Sequence, residues 1–266
     1  MTTAAWDARI RRAEELAGKF AFAREFLLFY VEIARFQRTL VEKLTRQRAQ
    51  PVRAKLRGPL DLALLAPEFP RFLGVVEKKA PPPLSNFATG LKQADPASWG
   101  ELLAAYWEKG GRFEPVMEEA AAFCARAFLQ PYAEMLARVP VLPPALTHSV
   151  CPRCEGMPQL GVLRPEGDGG RRSLLCAFCC AEWEYRRIIC PSCGEVDEKK
   201  LGHYAAEEFD YLRVEICDTC KTYLISVDLT RNGLAVPLVD ELAAIPLDLW
   251  AAQQGYRKIQ PNLLGT

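Results

Sequence analysis

Apolar residues recur at helical spacing through the first 140 residues of the chain. The clearest stripe has successive steps of 4, 3, 4, 3, 4 and 4 residues. Its members are Phe22, Phe26, Phe29, Ile33, Phe36, Leu40 and Leu44. Steps of three and four keep side chains on one face of an α-helix, so the stripe predicts a long helix with one buried face.

Prolines and glycines divide the rest of this half into shorter predicted helices. These cover Trp6 to Phe20 and the ranges 61–80, 96–109, 112–129 and 131–138. Pro131 separates the last two, and Asp95-Pro96 has the form of an N-cap followed by proline at the first helical position. The first half is therefore predicted to be all helical.

The sequence changes character after the proline-rich stretch 139–144, which predicts a linker or a stiff corner. Short β-type runs follow at 212–216 and 223–227, and the glycine-rich stretch 166–170 predicts a turn. Helical spacing returns at 237–254, where Pro246 is expected to divide the segment and Gly255 to end it. We therefore predict a multidomain protein with an all-α first domain, two tandem β-rich modules and a C-terminal helix.

Composition and charge exclude several classes of protein. The chain has 266 residues, 50% of them hydrophobic and 25% charged, which are values of a globular protein. Its 34 basic and 33 acidic residues give a net charge of +1, unlike a strongly basic polyanion-binding chain or a charge-dominated disordered one. Residues 9–57 carry a local net charge of +8 and residues 146–266 one of −4. The simplest interpretation of the basic stretch is the solvated face of a helix.

The expected location is the cytoplasm. No apolar run reaches the roughly 18 residues that a membrane helix needs. The N-terminus lacks a basic region followed by an apolar core, so no secretory signal is expected.

The cysteines indicate metal chemistry. Of ten cysteines, Cys124 stands alone and the other nine lie between Cys151 and Cys220. Eight of these form Cys-x-x-Cys pairs, at 151/154, 176/179, 190/193 and 217/220. Two residues between cysteines let a tight turn direct both thiolates at one ion, and two such turns complete a tetrahedron.

An internal repeat predicts which pairs share a site. Cys151-Pro-Arg-Cys154 matches Cys190-Pro-Ser-Cys193, and the second and fourth pairs also correspond, at offsets of 39 and 41 residues. Closing neighbouring hairpins costs less loop entropy than interleaving them. The prediction is one metal on Cys151, Cys154, Cys176 and Cys179 and a second on Cys190, Cys193, Cys217 and Cys220. An interleaved arrangement, with the inner four and the outer four cysteines paired, is the alternative.

The remaining candidates receive structural interpretations. A closed four-thiolate site leaves no position for substrate, and most such sites are structural. Cys124 is expected to be a small core residue. Cys180, where such a turn usually places glycine, is expected to be a bystander thiol, with exchange with Cys179 as a ligand the alternative. His148 and His203 stay unassigned, and no glycine-rich phosphate loop is present. We therefore predict no catalytic and no cofactor-binding residue, and no enzyme activity.

From Cys151 onward the sequence resembles the formate dehydrogenase accessory protein family, FdhE. The resemblance depends on the four cysteine pairs at these gaps and on several neighbouring motifs. These are Glu182-Trp183, Ile189-Cys190, Cys193-Gly194, Glu215, Lys221, Tyr223-Leu224, Asp240-Glu241-Leu242-Ala243, Asp248-Leu249 and Gly255-Tyr256. The chain looks somewhat short for the family, and Cys180 departs from its pattern.

The resemblance implies a helical domain, 1–145, and two rubredoxin-like modules, 146–187 and 188–266, the second ending in a helix. It implies iron in the two sites, whereas spacing alone leaves zinc equally open. It also implies a non-enzymatic maturation factor that binds the catalytic subunit of a respiratory formate dehydrogenase.

Two other functions are compatible with paired cysteines. Tandem zinc ribbons often bind nucleic acid or transcription machinery, but the near-neutral charge and the acidic cysteine-rich half make nucleic acid an improbable partner. An electron-transfer enzyme with two iron centres would need a donor, and no flavin or nicotinamide fingerprint is present.

Overall fold

The computed structural model describes residues 3–47, 56, 58–109, 118–137, 146–167 and 169–265. The described residues of its first half contain seven α-helices. They are α1 (Ala4–Lys19), α2 (Arg24–Gln47), α3 (Leu62–Leu65), α4 (Phe69–Lys79), α5 (Pro82–Gln93), α6 (Pro96–Glu108) and α7 (Glu119–Ala137). The predicted linker, 139–144, lies outside the described residues.

The long stripe packs as a helix face with one correction at its start. Ile33, Leu40 and Leu44 of α2 are fully buried, and Phe36 lies against Phe72 of α4 at 5.3 Å between ring centroids. Phe22, however, is 50% exposed, because it precedes α2 in a short 3-10 turn and so leaves the helical stripe.

The prolines at 81–83 separate α4 from α5, and Pro82 and Pro83 also begin α5, a helix that the sequence pattern does not predict. Prolines are tolerated in the first turn of a helix because they lack an N–H that would be unbonded there anyway. The interpretation of Pro131 as a break between two helices is wrong. Pro131 lies inside α7 and does not break it. Proline leaves the carbonyl four residues earlier without its helical donor. That carbonyl, on Ala127, accepts a hydrogen bond from the Gln37 side chain at 2.6 Å, which replaces the missing bond.

Among the described residues, the second half contains one sheet and two short α-helices. The strands are β1 (Pro158–Glu166), β2 (Gly169–Cys176), β3 (Glu182–Glu184), β4 (Leu201–Tyr204), β5 (Leu212–Cys217), β6 (Thr222–Asp228) and β7 (Arg257–Lys258). Helices α8 (Pro237–Asp240) and α9 (Ile245–Gln253) lie between β6 and β7. The predicted break near Pro246 and the stop at Gly255, which has a φ of 82°, are confirmed. The predicted fold class is thus confirmed, with helices first and a sheet with two cysteine clusters after them.

The β-strands of both cysteine-containing halves join into one sheet, in the order β3-β2-β1-β6-β5-β4, with β7 also beside β6. The join is a parallel pairing of β1 with β6, in which Gly161 lies opposite Ser226. The two halves are predicted from the sequence to be separate modules, and their boundaries at 145/146 and 187/188 stay a prediction.

The basic stretch in the first half forms ion pairs. Arg9 pairs with Glu134 of α7 at 2.9 Å, and Arg12 pairs with Asp240 of α8 at 2.5 Å. Tyr211 also donates to Asp240, at 2.8 Å. Both arginines are more than 90% buried, so these members of the stretch bind other elements instead of facing solvent.

The β1–β6 join requires glycine at position 161. A Cβ there would lie far inside contact distance of Ser226 Oγ and 3.2 Å from Ser226 Cβ. Because such overpacking typically costs 1–3 kcal/mol, we expect Gly161→Ala to lower the free energy of unfolding by about 2 kcal/mol, measured by urea denaturation. Adding Ser226→Gly should restore part of the loss.

Gly90→Ala is the matched control, since Gly90 lies in α5 with open space around its Cα. Alanine there should be neutral or stabilising by about 0.5–1 kcal/mol. Equal effects of the two alanine substitutions would contradict the steric explanation.

Candidate metal centres

The first cysteine cluster forms where two turns meet at one end of the β1–β2 hairpin. Cys151 and Cys154 lie in the turn before β1, Cys176 ends β2, and Cys179 follows in the next turn. The Sγ atoms of Cys151 and Cys179 are 3.5 Å apart, and those of Cys154 and Cys176 are 3.4 Å apart. All four side chains are buried.

The second cluster repeats this arrangement on β5 and β6. Cys190 and Cys193 occupy a turn after β3, Cys217 ends β5, and Cys220 precedes β6. The Cys190–Cys220 and Cys193–Cys217 sulfur distances are both 3.7 Å. Unlike the first cluster, this one leaves Cys193 exposed and Cys220 half-buried.

The internal repeat has the same backbone in both halves. Cys151 N–H donates to Gly156 O at 2.9 Å, and Cys190 N–H donates to Glu195 O at 2.9 Å. In each of the four pairs the residue after the second cysteine has a positive φ. These residues are Glu155 (60°), Cys180 (54°), Gly194 (79°) and Lys221 (53°). The two-residue spacing therefore specifies the same type of turn in all four pairs, although glycine occupies the positive-φ position in one pair alone.

The geometry fits a tetrahedral ion bound by sulfur. Metal–sulfur bonds of about 2.3 Å imply sulfur–sulfur edges of roughly 3.8 Å in a tetrahedron. The ligand atoms of each cluster all lie within 4.8 Å of one another. The structure groups the cysteines as neighbouring hairpins, the arrangement expected from the repeat, and not in the interleaved way. Each cluster can hold one metal ion.

Burial disfavours free thiolates at two of the cluster cysteines. Burial raises the pKa of Cys190 to about 12 and that of Cys176 well above its ordinary value. At neutral pH these two groups would keep their protons unless a cation balanced the thiolates. At the half-buried Cys220, burial raises the pKa, but hydrogen bonds, first that of Thr222, outweigh it and bring the pKa to about 7.

The spare candidates lie outside both clusters. His148 and His203 are exposed, and neither belongs to a described cysteine cluster. Cys124 is fully buried in α7, which confirms a core role, and burial raises its pKa to about 12. Burial also raises the pKa of the Cys180 thiol.

A set of buried polar residues that the sequence pattern does not reveal holds these turns in place. Arg126 of α7 donates to Ala177 O, inside the second cysteine pair, at 3.0 Å and to the Gln159 side chain at 2.9 Å. Gln159 in turn donates to Glu241, which pairs with Lys258. Glu241 belongs to one of the motifs on which the family resemblance depends. Nothing near Arg126 or Lys258 in the sequence indicates their roles, because the partners of these cations lie up to 136 residues away.

Cys180 adopts a left-handed backbone that disfavours residues with a Cβ. We expect Cys180→Gly to unfold with a free energy about 1 kcal/mol higher than Cys180→Ala, because both variants lose the thiol and glycine alone relieves the turn. Chemical denaturation of the metal-loaded full chain measures the difference. An alanine variant as stable as the glycine variant would contradict this explanation.

Two family models match the cysteine-containing half. The FdhE central domain matches residues 150–187, and the FdhE C-terminal domain matches residues 185–264. Among curated relatives, a protein FdhE homolog of Aquifex aeolicus is 26% identical over 96% of this chain and 94% of its own. Homologs from Pseudomonas aeruginosa and Pseudomonas putida are 37% and 30% identical over 44% and 62% of this chain, and 40% and 53% of their own lengths.

A solved structure extends the similarity to the helices. The crystal structure of the FdhE protein from Pseudomonas aeruginosa aligns with a TM-score of 0.73 and 25% identity. The alignment covers 100% of this chain and 97% of that one. The helical half, where sequence motifs are weak, is thus part of the same fold, and the chain belongs to the FdhE family.

Proposed function

We propose that this chain is an accessory protein for formate dehydrogenase that binds the catalytic subunit of the enzyme and catalyses no reaction itself. The observation that carries the proposal is the match to an FdhE structure over the whole chain, helices included. A surface for a client enzyme can therefore be shared by the helices and the sheet.

The polar residues of the fold support a binding protein more than a catalyst. Asp240 is engaged by Arg12 and Tyr211, and Glu241 and Asp248 are both paired with Lys258. Each of these carboxylates is at least 90% buried and has a structural partner. A closed cysteine cluster likewise offers a bound metal no position for substrate.

Each cluster is proposed to bind one metal ion through its four cysteines. The ion would supply a positive charge that holds four thiolates together, with a structural or redox-sensing role. Iron is the metal that the family resemblance favours, and zinc is the alternative, since both suit tetrahedral thiolates.

The nucleic-acid alternative loses support from the placement of the arginines. Arg9 and Arg12 are buried in ion pairs, and Arg172 is paired with Glu215.

Among the described helices, none combines the length and apolar character that crossing a bilayer requires. We infer that the protein works in the cytoplasm, where the catalytic subunit is made.

Metal analysis tests the cofactor proposal. Full-length protein expressed at native level in iron-replete cells should contain two metal ions per chain and show thiolate-to-iron charge-transfer bands. Cys154→Ser and Cys217→Ser should each remove one ion, because each replaces one ligand of a different cluster. A colourless protein with two zinc ions would contradict iron, and a folded protein with no metal would contradict both sites.

Loss of the gene tests the client proposal. A deletion strain should contain formate dehydrogenase polypeptide but show much reduced activity, because maturation and not synthesis would fail. Affinity capture of the full chain from the wild-type strain should retain the catalytic subunit. Normal activity and cofactor content in the deletion strain, together with no captured subunit, would contradict the accessory role. The DNA-binding alternative would instead require salt-sensitive retention of the chain on DNA.

A further inference from the structure

The two cysteine clusters are built from the same type of turn but differ in their surroundings. In the first, relative exposures are 0% for Cys151 and Cys176, 1% for Cys179 and 6% for Cys154. In the second, Cys193 is exposed and Cys220 half-buried. An incoming ligand can therefore reach the second cluster from solvent, whereas the first is enclosed.

Helices enclose the first cluster from two sides. Ala177 O, between Cys176 and Cys179, accepts hydrogen bonds from Arg126 at 3.0 Å and Gln130 at 3.1 Å, both on α7. Phe178 of the same turn is 2% exposed and lies edge-on to Tyr106 and Trp107 of α6, at 5.6 and 5.7 Å between centroids.

The other turn of the first cluster contacts the helical half as well. Arg153, between Cys151 and Cys154, is 4% exposed, and its carbonyl accepts from Leu56 N–H at 3.0 Å. Both turns of the first cluster are thus bound to residues that precede the sheet, and opening the cluster requires these contacts to separate.

The second cluster is held within its own half of the sheet. The Cys190 carbonyl accepts from Tyr185 at 3.3 Å, and Thr219 donates to Glu195 at 2.5 Å. Asp218 accepts from Tyr256 at 2.8 Å. These partners all lie after residue 184, so the second cluster can open while the helices stay in place.

We propose that the clusters are unequal metal sites: the first locks the helices to the sheet, and the second exchanges its ion with soft ligands from solution. This inference rests on the proposed metal binding and not on the identity of a client enzyme. The ligand class is a thiolate or nitrogen donor that approaches between Cys193 and Cys220. In such an exchange a cysteine sulfur would leave the ion as the donor binds, and the released thiolate would take a proton from water, with no electron transferred.

Release kinetics test the order of exchange. The full chain loaded with two zinc ions is mixed with the chromogenic chelator 4-(2-pyridylazo)resorcinol, and iodoacetamide traps each freed cysteine for mass spectrometry. The first ion should leave at least about tenfold faster than the second, with alkylation at Cys193 and Cys220. Hydrogen exchange in α7 should stay slow until the second ion leaves, since local opening then reaches the helices.

Two variants assign the phases. Cys193→Ser should abolish the fast phase and leave the slow phase and α7 protection intact. Gln130→Met removes one hydrogen bond to Ala177 O, so it should accelerate the slow phase by about two- to tenfold and leave the fast phase unchanged. Gln253→Met, an exposed position on α9, is the matched control and should change neither phase.

Several outcomes would overturn the inference. These are release of both ions at one rate, first alkylation at Cys151 to Cys179, or exposure of α7 amides during the fast phase. A chain that binds fewer than two ions would contradict the metal sites themselves. Failure to capture a formate dehydrogenase subunit would contradict the client proposal and leave these rates unaffected.

Discussion

The carbonyl of Ala177 is a point at which the two halves of the molecule depend on each other. It lies between two cysteines and accepts hydrogen bonds from Arg126 and Gln130, both buried on α7. Burying an arginine without acceptors would cost several kcal/mol, so this carbonyl, as one of the acceptors of Arg126, helps to stabilise α7 in this position. Arg126 uses its other amino group for the carbonyls of Pro261 and Asn262, which brings the end of the chain to the same point. One side chain thereby joins a helix, a cysteine turn and the C-terminal segment.

The features that local chemistry dictates could be predicted from the sequence. A two-residue spacing between cysteines specifies one turn, and repetition of that turn predicts which cysteines meet. The Asp95 cap, which accepts from Ala97 N–H at 2.9 Å, follows from the same kind of local rule. Features that depend on distant partners could not be predicted. Pro131 continues α7 because Gln37, 94 residues earlier, is bonded to the freed carbonyl, and nothing near Pro131 indicates this.

The local charge of residues 9–57 shows the same limit. Counting charges gives +8, which suggests a basic surface. In the folded chain Arg9 and Arg12 are paired with acids 125 and 228 residues away, and Arg35 and Arg38 are paired with Glu14 and Asp7. These arginines, which a count of charges would place on a surface, instead form ion pairs that connect α1, α2, α7 and α8. Exposed pairs such as Arg35–Glu14 contribute little, about 0–1 kcal/mol each, whereas the buried ones determine which elements meet.

The parallel pairing of β1 with β6 has a consequence for the order in which the protein is made. Each cysteine hairpin closes over a short stretch of chain. Leu160 of β1, however, cannot pair with Ile225 of β6, its partner in the register, until β6 has been synthesised. At about 5–20 residues per second, a ribosome needs roughly 3–13 s to add the 65 residues that lead from Leu160 to Ile225. During that time β1 has an open edge, and open edges pair readily with other chains. An open edge of this kind makes the nascent chain prone to aggregation after its first hairpin has formed and before its second has emerged.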